Sequence, residues 1–171
     1  MIRKKTKPIN DNKYYELLKS KIQGYGAFAI KNIRKGTKIV EYLGEIITEE
    51  EADIRYEDVN SKRHHTFLFA VNETKCIDGA YNGNSAVFIN HSCNPNCEPV
   101  TIGDRIFIYA LRNIKIGEEL LYDYGYEKFS YHTKEDELLY KCLCGSENCR
   151  GTILKDYKKK KQKQTNVIYA K

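Results

Sequence analysis

The chain of 171 residues has no tryptophan, no long apolar run and no internal repeat. No stretch approaches the ~18–20 consecutive apolar residues that a membrane-spanning helix needs, so no membrane partner is expected. The N-terminus, from Met1 to Lys7, is basic, but no apolar core follows it, and no classical export signal is expected. Without repeats or a long linker, a solenoid or a string of modules is excluded. The length suits one domain with its own core.

Charge is present but uneven. Lysine and arginine number 29 against 23 aspartates and glutamates, a net +6. Lys155 to Lys163 concentrates six lysines against one aspartate. Residues 155–171 therefore read as a basic tail, either a solvated segment or one that adds weak contact to DNA.

Six cysteines would allow three disulfides, but their positions argue against it. Cys142 and Cys144 are two apart, on opposite sides of an extended chain, where a bond between them would be strained. Cys142-Leu143-Cys144-Gly145-Ser146-Glu147-Asn148-Cys149 has the make-up of a metal knuckle. It supplies three thiolates where tetrahedral zinc takes four ligands. By position, Cys93 and Cys97 are the candidates for the fourth. Cys76 lies in an apolar strand and reads as a small core residue.

The remaining pattern is one of many short strands and few helices. Gly24-Tyr25-Gly26-Ala27-Phe28 predicts a turn where backbone comes close to something, or a plain hairpin turn. Lys38 to Ile47 reads as one strand, and Thr48-Glu49-Glu50-Glu51 as a capped helix start, the helix fading before Asn60. Phe67–Val71 and Lys75–Asp78 read as strands about a turn at Asn72, with a break at Asn82-Gly83-Asn84. A hairpin is expected across Gly103-Asp104, and a short helix over Lys134–Tyr140. The class is mostly β.

Two stretches carry chemistry. Phe88-Ile89-Asn90-His91-Ser92-Cys93-Asn94-Pro95-Asn96-Cys97 joins an apolar strand end to polar side chains, thiols and a forced turn. Tyr122, Tyr124 and Tyr126 alternate, so on one strand they would share a face, with Asp123 and Gly125 on the other. A tyrosine lining suits a cationic or methylated amine. The plain reading is tyrosines on a half-buried sheet surface.

Together with Glu119-Leu120-Leu121-Tyr122-Asp123-Tyr124-Gly125, the first stretch resembles the SET-domain protein lysine methyltransferases. The glycine turn at residues 24–29, Glu41-Tyr42-Leu43-Gly44-Glu45 and the cysteine segment resemble further elements of that family, in family order. The resemblance implies a fold of several small sheets with knot-like threading, few short helices and a C-terminal zinc knuckle. It divides the chain into a flexible N-terminus (1–13), a SET domain (14–130), a post-SET zinc element (131–154) and the basic tail. It implies S-adenosylmethionine as methyl donor, held by Gln23, Gly24, Tyr25, Gly26, Phe67, Asn90, His91, Tyr124 and Leu143. Tyr124 would be the catalytic tyrosine, with Tyr42, Tyr122 and Tyr126 lining a lysine channel. Cys93, Cys142, Cys144 and Cys149 would hold one structural zinc ion. The implied substrate is a histone tail or nucleosome, and Tyr122 in place of phenylalanine implies mainly monomethylation. The setting would be nucleus and chromatin in a eukaryote, or bacterial cytoplasm or a host nucleus for a microbial protein. Two departures stand out: Val87 where many members carry Arg, and Tyr25 where Arg or Trp is frequent. Two other readings remain: a catalytically silent SET module that binds peptides or partners, and a zinc-containing β protein that binds nucleic acid.

Overall fold

The structure, a computed structural model, describes residues 12–60, 67–128 and 133–156. The first eleven residues and nearly all of the basic tail lie outside these. The described chain is mostly β, in five small sheets with two α-helices. None of the described helices is long and apolar enough to cross a membrane.

The chain opens with a hairpin, β1 (Tyr15–Lys19) antiparallel to β2 (Tyr25–Ala29). Gly24, at φ +51°, closes its turn in a backbone conformation open to glycine. The strand expected from Lys38 to Ile47 is two strands, β3 (Lys38–Tyr42) and β4 (Glu45–Thr48), and they enter different sheets. Gly44 sits at the break, where a Cβ would meet the Asp78 carbonyl oxygen at 2.5 Å. The Asn84 amide occupies the gap, donating to Glu41 O at 2.8 Å and accepting from Leu43 N–H at 3.4 Å.

α1 (Glu49–Asn60) follows, with the Thr48 hydroxyl accepting the Glu51 N–H at 3.2 Å. It runs on to Asn60, further than the sequence predicts. Asp78, fully buried, accepts from Arg55 (3.2 Å) and the Tyr56 hydroxyl (2.8 Å) and so fastens the helix to the sheet. Arg55 also pairs with Glu45 and Glu51, and that network supplies what a polar helix lacks in apolar face. β5 (Leu68–Ala70) and β6 (Lys75–Asp78) form the hairpin expected about Asn72, whose side chain accepts from the Thr74 and Lys75 amides.

Ser85–Phe88 is a 3-10 helix capped by Asn84 rather than a strand end. β7 (Asn90–His91) comes next, then the expected hairpin of β8 (Cys97–Ile102) and β9 (Arg105–Ala110). β10 (Leu121–Tyr122) returns to lie parallel to β7, the close crossing of the two central motifs. Buried Asn96 holds this crossing. Its amide donates to Glu119 O and accepts from Leu121 N–H, both at 2.8 Å. Around it packs the core, with Ile89, Ile106, Ile108, Ile114 and Leu120 all at or below 1% exposure. β11 (Tyr126–Lys128), α2 (Lys134–Leu139) and β12 (Leu154–Asp156) complete the chain. β12 pairs in parallel with β11, so Lys155 and Asp156 belong to a sheet and not to the tail.

Candidate active site and metal centre

Where the first hairpin, the β5 region, the β7–β10 crossing and the C-terminal segment meet, a cleft of about 1090 Å³ opens. Gln23, Gly24, Tyr25, Phe67, Asn90, His91, Leu143 and the four tyrosines Tyr42, Tyr122, Tyr124 and Tyr126 all line it. Of the residues expected at the donor site, Gly26 alone is not part of this lining. It sits buried in β2, and a Cβ there would overlap the Glu119 carboxylate.

That close approach has a purpose. Glu119 reaches across β2, accepting from the Asn90 amide at 2.8 Å and from the Ser20 hydroxyl at 3.1 Å. Asn90 donates further to Gln23 O (3.3 Å) and Tyr25 O (3.1 Å). Three acceptors around one NH₂ group fix the orientation of the side chain. Asn90 is 8% exposed, and its Oδ1 accepts no hydrogen bond among the described residues. An unsatisfied buried acceptor in the cleft lining fits a ligand that brings N–H or O–H donors. Glu119 carries no assigned role in the sequence reading, because its link to Gly26 and Asn90 is long-range.

The tyrosines converge, but not along one strand. β10 ends at Tyr122, the chain bends through Asp123–Gly125 with Gly125 at φ +68°, and Tyr126 opens β11 in another sheet. The rings still form a continuous series. Tyr42 meets Phe69 edge-on at 5.2 Å, Phe69 stacks on Tyr122 at 5.7 Å, and Tyr124 lies 5.0 Å from Tyr122 and 6.1 Å from Tyr126. Phe69, which the sequence reading left out of the site, is thus part of the wall. The Tyr42 hydroxyl donates to Phe67 O at 2.7 Å, and the Tyr124 hydroxyl to Ile89 O at 3.1 Å. The Tyr122 hydroxyl, on a residue 6% exposed, has no hydrogen-bond partner among the described residues. Burial, reinforced by neighbouring phenols, pushes the Tyr42, Tyr122 and Tyr124 pKa values upward, so all three stay protonated.

His91 backs this wall. Its Nδ1 accepts the Tyr124 backbone N–H at 3.1 Å, and its ring meets the Tyr124 ring edge-on at 5.3 Å. Burial pushes its pKa down to about 4 against the pull of Asp123, so the 3.6 Å approach to Asp123 is no ion pair at neutral pH. Asp123 is held instead by Arg150, at 2.7 and 3.1 Å. Burial alone would raise the Asp123 pKa, but that fork and the Gly125 N–H outweigh it and lower it. Arg150 also donates to Leu154 O and Ile153 O, so one side chain fastens the cysteine segment beside Tyr124.

The sulfurs of Cys93, Cys142, Cys144 and Cys149 all lie within 4.8 Å of one another. Cys93 stands 3.7 Å from Cys142 and 3.9 Å from Cys149. A regular tetrahedron of zinc–thiolate bonds of ~2.3 Å has edges of about 3.8 Å, so the cluster fits that ion. Backbone N–H groups of Cys144 and Gly151 point at Cys142 and Cys149, as they do at thiolates. Burial raises the Cys93 and Cys142 thiols, whereas at Cys144 the Ser146 hydroxyl helps to overcome burial and brings the pKa down to about 5. Four thiolates this close repel one another, and a bound cation is what lets them ionise together. Cys97, the other candidate by position, is 1% exposed in the core, and Cys76 is buried in β6.

Residues 24–125 match the family model described as SET domain. Over 138 residues, 78% of this chain, the sequence is 43% identical to "Histone-lysine N-methyltransferase trr" of Drosophila melanogaster, covering 6% of that protein. It is 34% identical over 167 residues to "Histone-lysine N-methyltransferase ASHR3" of Arabidopsis thaliana, covering 95% of this chain and 31% of that one. It is 39% identical over 145 residues to "Histone-lysine N-methyltransferase, H3 lysine-4 specific" of Saccharomyces cerevisiae, covering 79% and 13%. The chain spans less than a third of each of these relatives.

Proposed function

Since the chain belongs to the SET-domain family, we propose that it is a protein lysine N-methyltransferase that uses S-adenosylmethionine and acts on a histone tail. The observation that carries this reading is the buried aromatic pocket around Tyr124 opening on the cleft lined by Gln23, Asn90 and His91. The names of the similar proteins, one of them specific for H3 lysine 4, make the H3 tail the first substrate to test, and chromatin the setting.

Bound S-adenosylmethionine would supply an electrophilic methyl group, whose bond to sulfur breaks as the lysine nitrogen bonds to its carbon. The chain's part is binding and placement. Asn90 offers its unpaired Oδ1 at the donor side, and Gln23, Gly24, Tyr25, Phe67 and Leu143 complete the cleft wall. The tyrosine pocket takes the lysine side chain. Free lysine has a pKa of ~10.4, and a dry aromatic channel favours the neutral amine that attack requires. Tyr42, Tyr122 and Tyr124 stay protonated and so do not serve as base, which leaves water as the route for the proton. Having given its hydrogen to Ile89 O, the Tyr124 oxygen is an acceptor, suited to weak C–H···O contacts with a methyl group or to orienting the amine. In-line placement of amine, methyl and sulfur contributes on the order of 7–11 kcal/mol at best. One zinc ion on the four cysteines would hold the C-terminal segment against the cleft. The Tyr122 hydroxyl, without a partner among the described residues, supports a product that is mainly monomethyl-lysine, because it can hold the amine or a water where a further methyl would sit.

Transfer of labelled methyl from S-adenosylmethionine to core histones and recombinant nucleosomes tests the reading, with Tyr124→Phe beside the wild type. Label on one histone, falling by on the order of 10²–10³-fold in a variant of unchanged melting temperature, is the expected result. Donor binding without transfer to any protein would favour the silent module. Steeply salt-dependent DNA binding without donor binding would favour the nucleic-acid reading.

A further inference from the structure

We propose that His91 is a positioning residue that couples the metal ligand Cys93 to Tyr124, through an imidazole whose hydrogen is on Nε2. The argument starts at the backbone. The Tyr124 N–H can only donate, and it points at His91 Nδ1 from 3.1 Å. Nδ1 must therefore present its lone pair, and a neutral ring then carries its hydrogen on Nε2. Nε2 lies 3.5 Å from Cys93 Sγ, within reach of an N–H···S bond. A metal-bound thiolate accepts and cannot donate, so occupancy of the four-cysteine site demands this same tautomer. Asp123 Oδ1 does not compete for the ring. It already accepts from Arg150 and from the Gly125 N–H.

The consequence is a two-bond path from metal to catalytic tyrosine, running through a ring that is 4% exposed. A Cys93 sulfur fixed in the four-cysteine cluster holds the ring at Nε2, and the ring in turn holds the Tyr124 amide at Nδ1. A Cys93 sulfur no longer fixed in the cluster leaves the ring anchored at Nδ1 alone, and the grip on the Tyr124 amide loosens. The metal would thus tune the position of Tyr124 and not only fold the C-terminal segment. This inference rests on the readings of the cysteine cluster as a zinc site and of Tyr124 as the catalytic tyrosine.

The test uses the full zinc-loaded chain and does not depend on methyl transfer. In ¹⁵N-histidine-labelled protein, long-range ¹H–¹⁵N correlations should place the His91 hydrogen on Nε2, and chelation of zinc should move the Tyr124 amide resonance. Zinc affinity, measured by competition with a chelator, should fall about 10–100-fold in His91→Phe and His91→Asn, the range for loss of a hydrogen bond to a metal ligand. His91→Gln, whose side-chain amide can still donate toward Cys93, should hold within a few-fold of wild type while its Tyr124 amide shifts. A hydrogen on Nδ1 in the zinc-loaded wild type would overturn the proposal, which keeps the test decisive even if a variant fails to fold. So would a His91→Phe protein of unchanged zinc affinity. A protein that gave the expected tautomer and affinities but transferred no methyl group would overturn the functional reading and leave this coupling standing.

Discussion

Two phenols two residues apart, Tyr122 and Tyr124, differ in what their hydroxyls touch. Tyr124 donates to Ile89 O, whereas Tyr122 has no partner among the described residues. Removing the Tyr122 hydroxyl should therefore cost little stability, since no hydrogen bond to the described residues is lost. Tyr122→Phe is expected to retain activity and to shift the product from monomethyl toward dimethyl lysine, read by mass spectrometry of a methylated H3 peptide. Mostly trimethyl product from the wild type would refute the assignment. A second expectation concerns pH. Burial raises the pocket phenols, so their protonated form is the one present throughout the working range. The substrate amine must lose a proton, so kcat/KM should rise with pH toward the amine pKa. A falling limb from phenol ionisation should be absent below pH ~10. Steady-state rates between pH 7 and 10 on a free peptide, with the fold followed by circular dichroism, check this.

At the scale of elements, Gly26 illustrates how a strand residue can govern a distant side chain. A methyl group there would overlap the Glu119 carboxylate, which would have to release Asn90 or Ser20. Gly26→Ala should destabilise the protein by about 1–3 kcal/mol, the range for overpacking. It should also weaken donor binding more than peptide binding, as calorimetric titration of each would reveal. The two glycines at residues 24 and 26 announced a turn or a close approach, and the hairpin contains both. The partner in the approach was illegible, since Glu119 lies in another part of the chain. The Asn72 turn, the Gly103-Asp104 hairpin and the Thr48 cap were legible for the opposite reason, their hydrogen bonds being local. The Lys38–Ile47 strand was misread as continuous because the constraint that breaks it, the Asp78 backbone beside Gly44, is non-local.

At the scale of the molecule, the C-terminal segment is fastened at three places: the four-cysteine cluster, the Arg150–Asp123 fork and the β11–β12 pairing. Because β12 reaches Asp156, a truncation meant to remove only the basic tail should begin at Tyr157, not at Lys155. Removal of residues 157–171 should weaken nucleosome binding and flatten its salt dependence while leaving turnover on a free H3 peptide unchanged. Electrophoretic mobility shift at several salt concentrations, alongside peptide kinetics, makes the comparison. Equal loss on both substrates would mean the tail serves the fold and not the DNA.

The sequence by itself determined the mostly-β class, the absence of a membrane-spanning run, the three knuckle cysteines and the identity of the motif residues. These are matters of residue type and short spacing. Only the tertiary structure decided which features meet. By position alone both Cys93 and Cys97 were candidates for the fourth thiolate, and only the family resemblance named Cys93. Folding places Cys93 among the other three sulfurs and turns Cys97 into the core. Alternation predicted that Tyr122, Tyr124 and Tyr126 would share the face of one strand, but the strand ends at Tyr122. Their convergence comes instead from the bend at Gly125 and from the packing of Phe69. The physical reason is the same in each case. Periodicity propagates only along an unbroken strand, while a site assembled from separate sheets is set by long-range hydrogen bonds and packing that no local pattern encodes.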